Sequence, residues 1–256
     1  MAKLVSVVGQ KGGCGKTSTL IIMASMLAYE YKKKVLVLDC DTIQQTITKL
    51  RELDLQSLER KVEKNDNGEE YVTYSDRFIF DEFYVKKQVP AYDLEGCQMS
   101  AEGILNKVDA VFDDYDYILL DLPGTLDNRS DYFKIVNNLD VVFLPFSQSL
   151  LEYDSQLAIA QFLHENILKR NRLQEMYYFW LKFVPNVRVD TFNTMHDALT
   201  QYCPEMKELE NKMLSSQGYP IDNNHLRNTL IAPIGPFRKY ANIMNTVDEM
   251  CKIIMK

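Results

Sequence analysis

Five short apolar runs punctuate the chain, at residues 4–8, 35–38, 117–120, 141–146 and 177–184. Strands that are apolar at nearly every position are buried on both faces, as in a parallel sheet. Between these runs the apolar residues change to helical spacing. Residues 17–31 carry them at 20, 21, 24, 27 and 28. Residues 101–112 carry them at 101, 104, 105, 108, 111 and 112. Residues 150–168 read as a further helix. Strand and helix in alternation predict an α/β fold: a doubly wound, mostly parallel sheet with helices on both faces.

Residues 51–100 break this rhythm. A polar stretch, Glu63-Lys64-Asn65-Asp66-Asn67-Gly68-Glu69-Glu70, precedes Tyr71-Val72-Thr73-Tyr74 and then Arg77-Phe78-Ile79-Phe80. The last two runs are rich in aromatic and β-branched residues and predict a small antiparallel hairpin or a binding loop. The segment 51–100 reads as an insertion within a single domain spanning 1–256, between its second and third core strands.

Composition narrows the class. With 256 residues, 46% hydrophobic and 25% charged, the chain matches an average globular protein and can bury a core without staples. No apolar run approaches the ~20 residues of a membrane span, and the first residues do not form a signal peptide. Five cysteines, at 14, 40, 97, 203 and 251, form no CxxC pair. That suits reduced thiols and a cytoplasmic setting better than a disulfide frame or a zinc site. The net charge of −7 argues against a protein coated in nucleic acid. It is uneven, however: residues 51–120 hold 17 acidic and 8 basic side chains, and the rest hold 19 and 21. The late segments therefore leave room for a local basic patch.

Glycine is scarce, ten in all, yet Gly9, Gly12, Gly13 and Gly15 fall within seven residues. They follow the first strand, in Gly9-Gln10-Lys11-Gly12-Gly13-Cys14-Gly15-Lys16-Thr17-Ser18. The GxxxxGK[ST] spacing would put its first glycine at Gln10, so the match is not letter for letter. The working parts of a phosphate loop are nevertheless present. Glycines let successive N–H groups converge on phosphate oxygens. A helix starting near Lys16 points its positive end at the same anion. Lys16 is placed for the β/γ phosphates and the Thr17 hydroxyl for Mg2+. Lys11 is a second cation that one nucleotide held in cis does not require.

The run from Lys11 to Ser18 resembles the deviant Walker A motif of the ParA/Soj/MinD family of P-loop ATPases. Val35-Leu-Val-Leu-Asp39-Cys-Asp41 is similar to that family's second-strand motif. Tyr115-Asp-Tyr-Ile-Leu-Leu-Asp121-Leu-Pro123-Gly is similar to its Walker B strand, and Val141-Val-Phe-Leu-Pro145-Phe to the next core strand. The resemblance covers about residues 1–50 and 100–256. It implies two subunits sandwiching two ATP molecules. In it Gly12, Gly13, Cys14, Gly15, Lys16, Thr17 and Ser18 hold the nucleotide, and Lys11 reaches the partner's nucleotide. Thr17 and Asp121 serve the Mg2+, supported by Asp39, while Asp41 orients the attacking water. Asn186, after Val184-Pro185, stands where the family often holds adenine. Any one of these aspartates could also be a turn or capping residue at a strand end. The sequence departs from the family where Thr42 and Ile43 replace Pro-Gln after Asp41, where Ile22 replaces a common asparagine, and where Cys14 replaces valine.

Within the family, the expected member is a ParA-like partition ATPase without an N-terminal helix-turn-helix. It would bind DNA non-specifically when ATP-bound, associate with the nucleoid, and position plasmid, chromosome or mobile-element DNA. A ParB-like centromere-binding or adaptor protein would stimulate its hydrolysis. DNA contact would come from basic residues of the late segments: Arg227, Arg238 and Lys239, with Lys169, Arg170 and Arg172 as further candidates. Segments around Asn228–Pro233 and Phe237–Ala241 resemble the family's last strand and final helix. The alternative is a MinD-like, membrane-cycling ATPase ending in a basic amphipathic helix. The charges of the tail, 247–256, nearly cancel, which favours docking on the core. A metal-cluster ATPase would need cysteines able to bridge a dimer. A scaffold with a dead site is disfavoured by Lys16, Thr17, Asp41 and Asp121.

Overall fold

The computed structural model describes residues 1–9, 13–41, 46–57, 60–65, 67–74, 92–97, 99–124, 129–167, 175–185, 189–214 and 241–256. Its strands are β1 (Lys3–Val7), β2 (Val35–Asp39), β3 (Arg60–Lys64), β4 (Glu70–Tyr74), β5 (Asp93–Gly96), β6 (Tyr117–Asp121), β7 (Val141–Phe146), β8 (Glu175–Trp180) and β9 (Lys207–Glu208). The helices are α1 (Lys16–Tyr29), α2 (Thr46–Ser57), α3 (Ala101–Val111), α4 (Arg129–Val136), α5 (Leu150–Asn166), α6 (Val189–Tyr202) and α7 (Ala241–Ile254).

Seven of the described strands form one sheet in the order β5-β2-β6-β1-β7-β8-β9. Every pairing in it is parallel. The central strands are apolar throughout because both faces are covered. In β1 the alternation of side chains divides the strand between two cores. Val5 and Val7 join Leu20, Met23 and Leu27 of α1 and Val247 and Met250 of α7 on one face. Leu4 and the following Val8 join Ile104 of α3, Ile135 of α4, Leu163 of α5 and Leu199 of α6 on the other. Ser6 lies fully buried among them, its hydroxyl donating to the Leu120 carbonyl at 2.7 Å.

One strand ends earlier than the sequence predicts, and one hairpin has a strand the sequence does not indicate. The run 177–184 is a strand only to Trp180; Lys182 then takes a left-handed φ of 52° and turns the chain. Phe183 keeps one isolated bridge, to Leu214. The run 71–74 is a strand, and the partner the structure describes for it precedes it in the chain. β4 pairs antiparallel with β3, with Lys64 opposite Glu70. The polar stretch is therefore the turn of this hairpin. Its residues supply the turn chemistry: the Asn65 carboxamide oxygen accepts from the N–H groups of Asn67 and Glu69, and Gly68 takes φ +81°. Residues 77–80 lie outside the described residues. Within the same segment 51–100, β5 enters the main sheet beside β2.

The last helix docks on the core as expected. Val247, Met250, Cys251 and Ile254 of α7 are buried in the cluster that α1 lines. Among the described residues, no helix is long and apolar enough to cross a membrane.

Candidate nucleotide site

The candidate site lies at the carboxyl ends of β1, β2 and β6, where open α/β sheets place ligands. Gly13 and Gly15 both have φ 76°, a conformation in which a Cβ is strained. Gly15 is the N-cap of α1. A Cβ there would also come within 2.8 Å of the Leu181 side chain. The left-handed backbone is what requires glycine at this position, since the Leu181 methyl is the end of a side chain that can shift. No acidic residue lies in the first turn of α1, so its positive end is not neutralised from within the helix.

Lys16 is buried, with its ammonium 3.7 Å from the Cys14 sulfur. Beside it, the Thr17 hydroxyl donates to the Asp121 carboxylate, 2.9 and 3.1 Å from its two oxygens. Gly13 and Ser18 are exposed, and Cys14, Gly15 and Thr17 partly so. The loop therefore presents its surface to solvent while its cation and its hydroxyl converge on the strand ends.

Asp39 and Asp121 end adjacent strands and stand opposite each other in register. Both are buried. Burial pushes the Asp121 carboxyl up to about 7; the Thr17 hydroxyl and Lys16 pull it back, and the charges of Asp39 and Asp41 add to the rise. Asp39 divides its work between its two oxygens. One accepts from both the backbone N–H and the hydroxyl of Thr48, at 3.0 and 2.9 Å, and so caps the first turn of α2. The other is buried with no hydrogen-bond partner among the described residues. Asp41, two residues further on, is partly exposed.

The arrangement fits a hard dication. Thr17, Asp121 and the unpartnered oxygen of Asp39 offer oxygen donors only. Among the described residues no group of three His, Cys, Asp or Glu side chains forms a cage. Mg2+ is commonly held in this way, by one or two carboxylates with phosphate and water completing its octahedron. Next to Asp39 in the chain, Cys40 is buried in the same cluster as Cys97, its thiol donating to the Leu38 carbonyl at 3.5 Å. Both are free thiols within one chain, as are the other three cysteines.

The structure thus brings Gly13, Cys14, Gly15, Lys16, Thr17, Ser18, Asp39, Asp41 and Asp121 to one end of the sheet. Lys11, Gly12 and Asn186 lie outside the described residues, as do the DNA candidates Arg227, Arg238, Lys239, Lys169, Arg170 and Arg172. Two contributors are absent from the motifs. Thr48 is legible only weakly, as a threonine in the first turn of a helix that follows an aspartate-ended strand. Gln156, on α5, donates from its side-chain amide to the Val8 carbonyl at 2.7 Å. Its signal is a polar residue in the buried row of α5 formed by Tyr153, Ala160 and Leu163.

Comparison with known proteins agrees with this geometry. Residues 2–149 match the family model described as AAA domain, AAA_31. Two uncharacterized proteins of Pseudomonas putida are 33% identical over 132 residues, 49% of this chain and 49% of their own length. The matched region thus spans about half the length of these curated relatives. Among solved structures, apo McdA of Cyanthece superposes with a TM-score of 0.60 at 14% identity, over 97% of this chain and 99% of that one. A plasmid partition protein of Borrelia burgdorferi B31 bound to AMPPNP gives 0.58 at 18%, over 98% and 99%. The ParA of pNOB8 bound to nonspecific DNA gives 0.54 at 15%, over 99% of both chains. The chain belongs to the AAA domain family AAA_31, and it shares its fold with the plasmid partition and ParA structures on which it superposes.

Proposed function

We propose that this chain is a Mg2+-dependent ATPase that forms an ATP-sandwich dimer, binds DNA non-specifically and positions it with a partner protein. The observation that carries the proposal is the meeting of the buried Lys16, the Thr17 hydroxyl and the paired carboxylates Asp39 and Asp121 at the left-handed glycines of the loop. In this role the loop amides and Lys16 cradle the phosphates. Thr17 and Asp121 hold the Mg2+, with Asp39 behind them; the ion, when bound, neutralises charge on the phosphate oxygens. Asp41 orients the attacking water, and Lys11 reaches the nucleotide of the second subunit. Asn186 faces the adenine. This is phosphoryl transfer by positioning and charge neutralisation.

The DNA-binding part is supported by the near-neutral charge outside residues 51–120, by the basic residues Arg227, Arg238 and Lys239, and by the likeness in fold to a ParA bound to nonspecific DNA. It is favoured over membrane cycling because the apolar face of α7 is buried against the core. A ParB-like partner that stimulates hydrolysis completes the proposal.

The deciding experiment measures ATP turnover with Mg2+, with and without unrelated duplex DNA, alongside retention of that DNA. Turnover and ATP-dependent retention that weakens steeply with salt are expected. Lys16→Ala should abolish nucleotide binding, and Asp41→Ala should keep ATP bound but block turnover. Unchanged binding in the first variant or normal turnover in the second would overturn the assigned roles. Association with anionic liposomes in place of DNA would favour the membrane alternative.

A further inference from the structure

The phosphate loop begins where β1 leaves the sheet, and a residue of a distant helix meets it there. Gln156 lies on the buried row of α5, itself 5% exposed. Its amide nitrogen donates to the Val8 carbonyl at 2.7 Å, across 148 residues of sequence. The carbonyl acceptor sets which way the carboxamide points. Val8 is anchored on its other side too, its N–H donating to the Phe143 carbonyl of β7 at 2.8 Å. The last residue before the loop is thus held by one backbone and one side-chain bond.

Gly9 shows how tight this contact is. A Cβ at that position would come within 2.9 Å of the Gln156 carboxamide oxygen, 3.3 Å of its nitrogen and 3.0 Å of the Cys14 sulfur. A side-chain end can usually move aside, but this one is buried and hydrogen-bonded, so moving would break the bond to Val8. Gly9 has no place in the GxxxxGK[ST] spacing; this packing accounts for it.

We propose that Gln156 is a positioning residue for nucleotide binding: it sets the exit of β1, and with it the aim of the loop that ends in Lys16 and Thr17. The proposal rests on the ATPase assignment above. It acts through loop geometry and not through contact with the reacting atoms. Loss of the bond should weaken the bound state of nucleotide more than it slows the chemical step.

The test uses the full chain, a fluorescent ATP analogue for affinity and steady-state ATP turnover. Gln156→Met keeps the length of the side chain and removes the donor. It should raise the Kd of the analogue and the KM for ATP about tenfold, the scale of one lost hydrogen bond, with kcat within about threefold of wild type. Gly9→Ala should weaken binding to a similar degree. Because both act on the Gln156 contact, Gly9→Ala should cost clearly less in a Gln156→Ala background than in wild type, its remaining close approach being to the Cys14 sulfur. Affinity in Gln156→Met within twofold of wild type, or losses that multiply in the double variant, would overturn the proposal. If Gln156→Met fails to fold, Gly9→Ala alone decides: affinity within twofold of wild type overturns it. A wild-type chain that binds no nucleotide overturns the ATPase assignment as well, which separates the two failures.

Discussion

At the scale of single residues, the site is a balance of buried charges. Asp121 sits beside Asp39 on the neighbouring strand, with Lys16 and the Thr17 hydroxyl as its compensating neighbours. Its carboxyl is raised from an ordinary 3.8 to about 7, with burial as the largest cause. The folded protein therefore holds this proton more tightly than the unfolded chain does. The contribution of this group to stability is full below the ordinary value and is lost as pH rises toward 7. Asparagine at 121 would keep an acceptor for Thr17 and remove the buried charge. Asp121→Asn is expected to raise the stability of the nucleotide-free protein at pH 8 by up to a few kcal/mol, since each tenfold change in proton affinity is worth ~1.4 kcal/mol. The gain should vanish by pH 4, and turnover with Mg2+ should be lost. Thermal unfolding at the two pH values and an ATPase assay check it. A bound dication would relieve the same repulsion, so the strain is of the kind that functional sites keep at a cost in stability.

At the scale of elements, strands and helices tie the site together through their ends. Asp39 closes β2 and caps α2 through Thr48. A metal-site candidate thereby also fixes the helix that follows it. Thr48→Val removes the hydroxyl donor and keeps the shape. It should cost about 1 kcal/mol, the usual worth of such a bond, seen as a lower urea midpoint with an unchanged m-value. The hairpin β3–β4 makes a different point. The aromatic and β-branched run 71–74 was legible as a strand, but its partner was not. Propensity gives the state of a segment, whereas pairing depends on the turn. Here the turn is set by Asn65 and Gly68, in the polar stretch on the amino-terminal side of that run.

At the scale of the molecule, the parallel sheet separates two cores, and α7 closes one of them from the far end of the chain. Met250 of α7 is fully buried there. Met250→Ala should cost ~2–5 kcal/mol through lost burial and a cavity, while Met250→Leu should cost under ~1.5 kcal/mol; chemical unfolding of both variants measures the contrast. The α/β class, the phosphate loop and the aspartates at the strand ends were determined by the sequence by itself, because each is written in neighbouring residues. Apolar runs report burial on two faces, glycines report unusual backbone, and an aspartate at the end of an apolar run reports a strand end at the ligand-binding edge. Only the tertiary structure decided that Asp39 and Asp121 stand side by side, that β5 flanks β2, that Cys40 and Cys97 share one core, and that Gln156 reaches Val8. These contacts join residues from about 57 to 148 positions apart. They follow from strand order and register, which local periodicity does not encode.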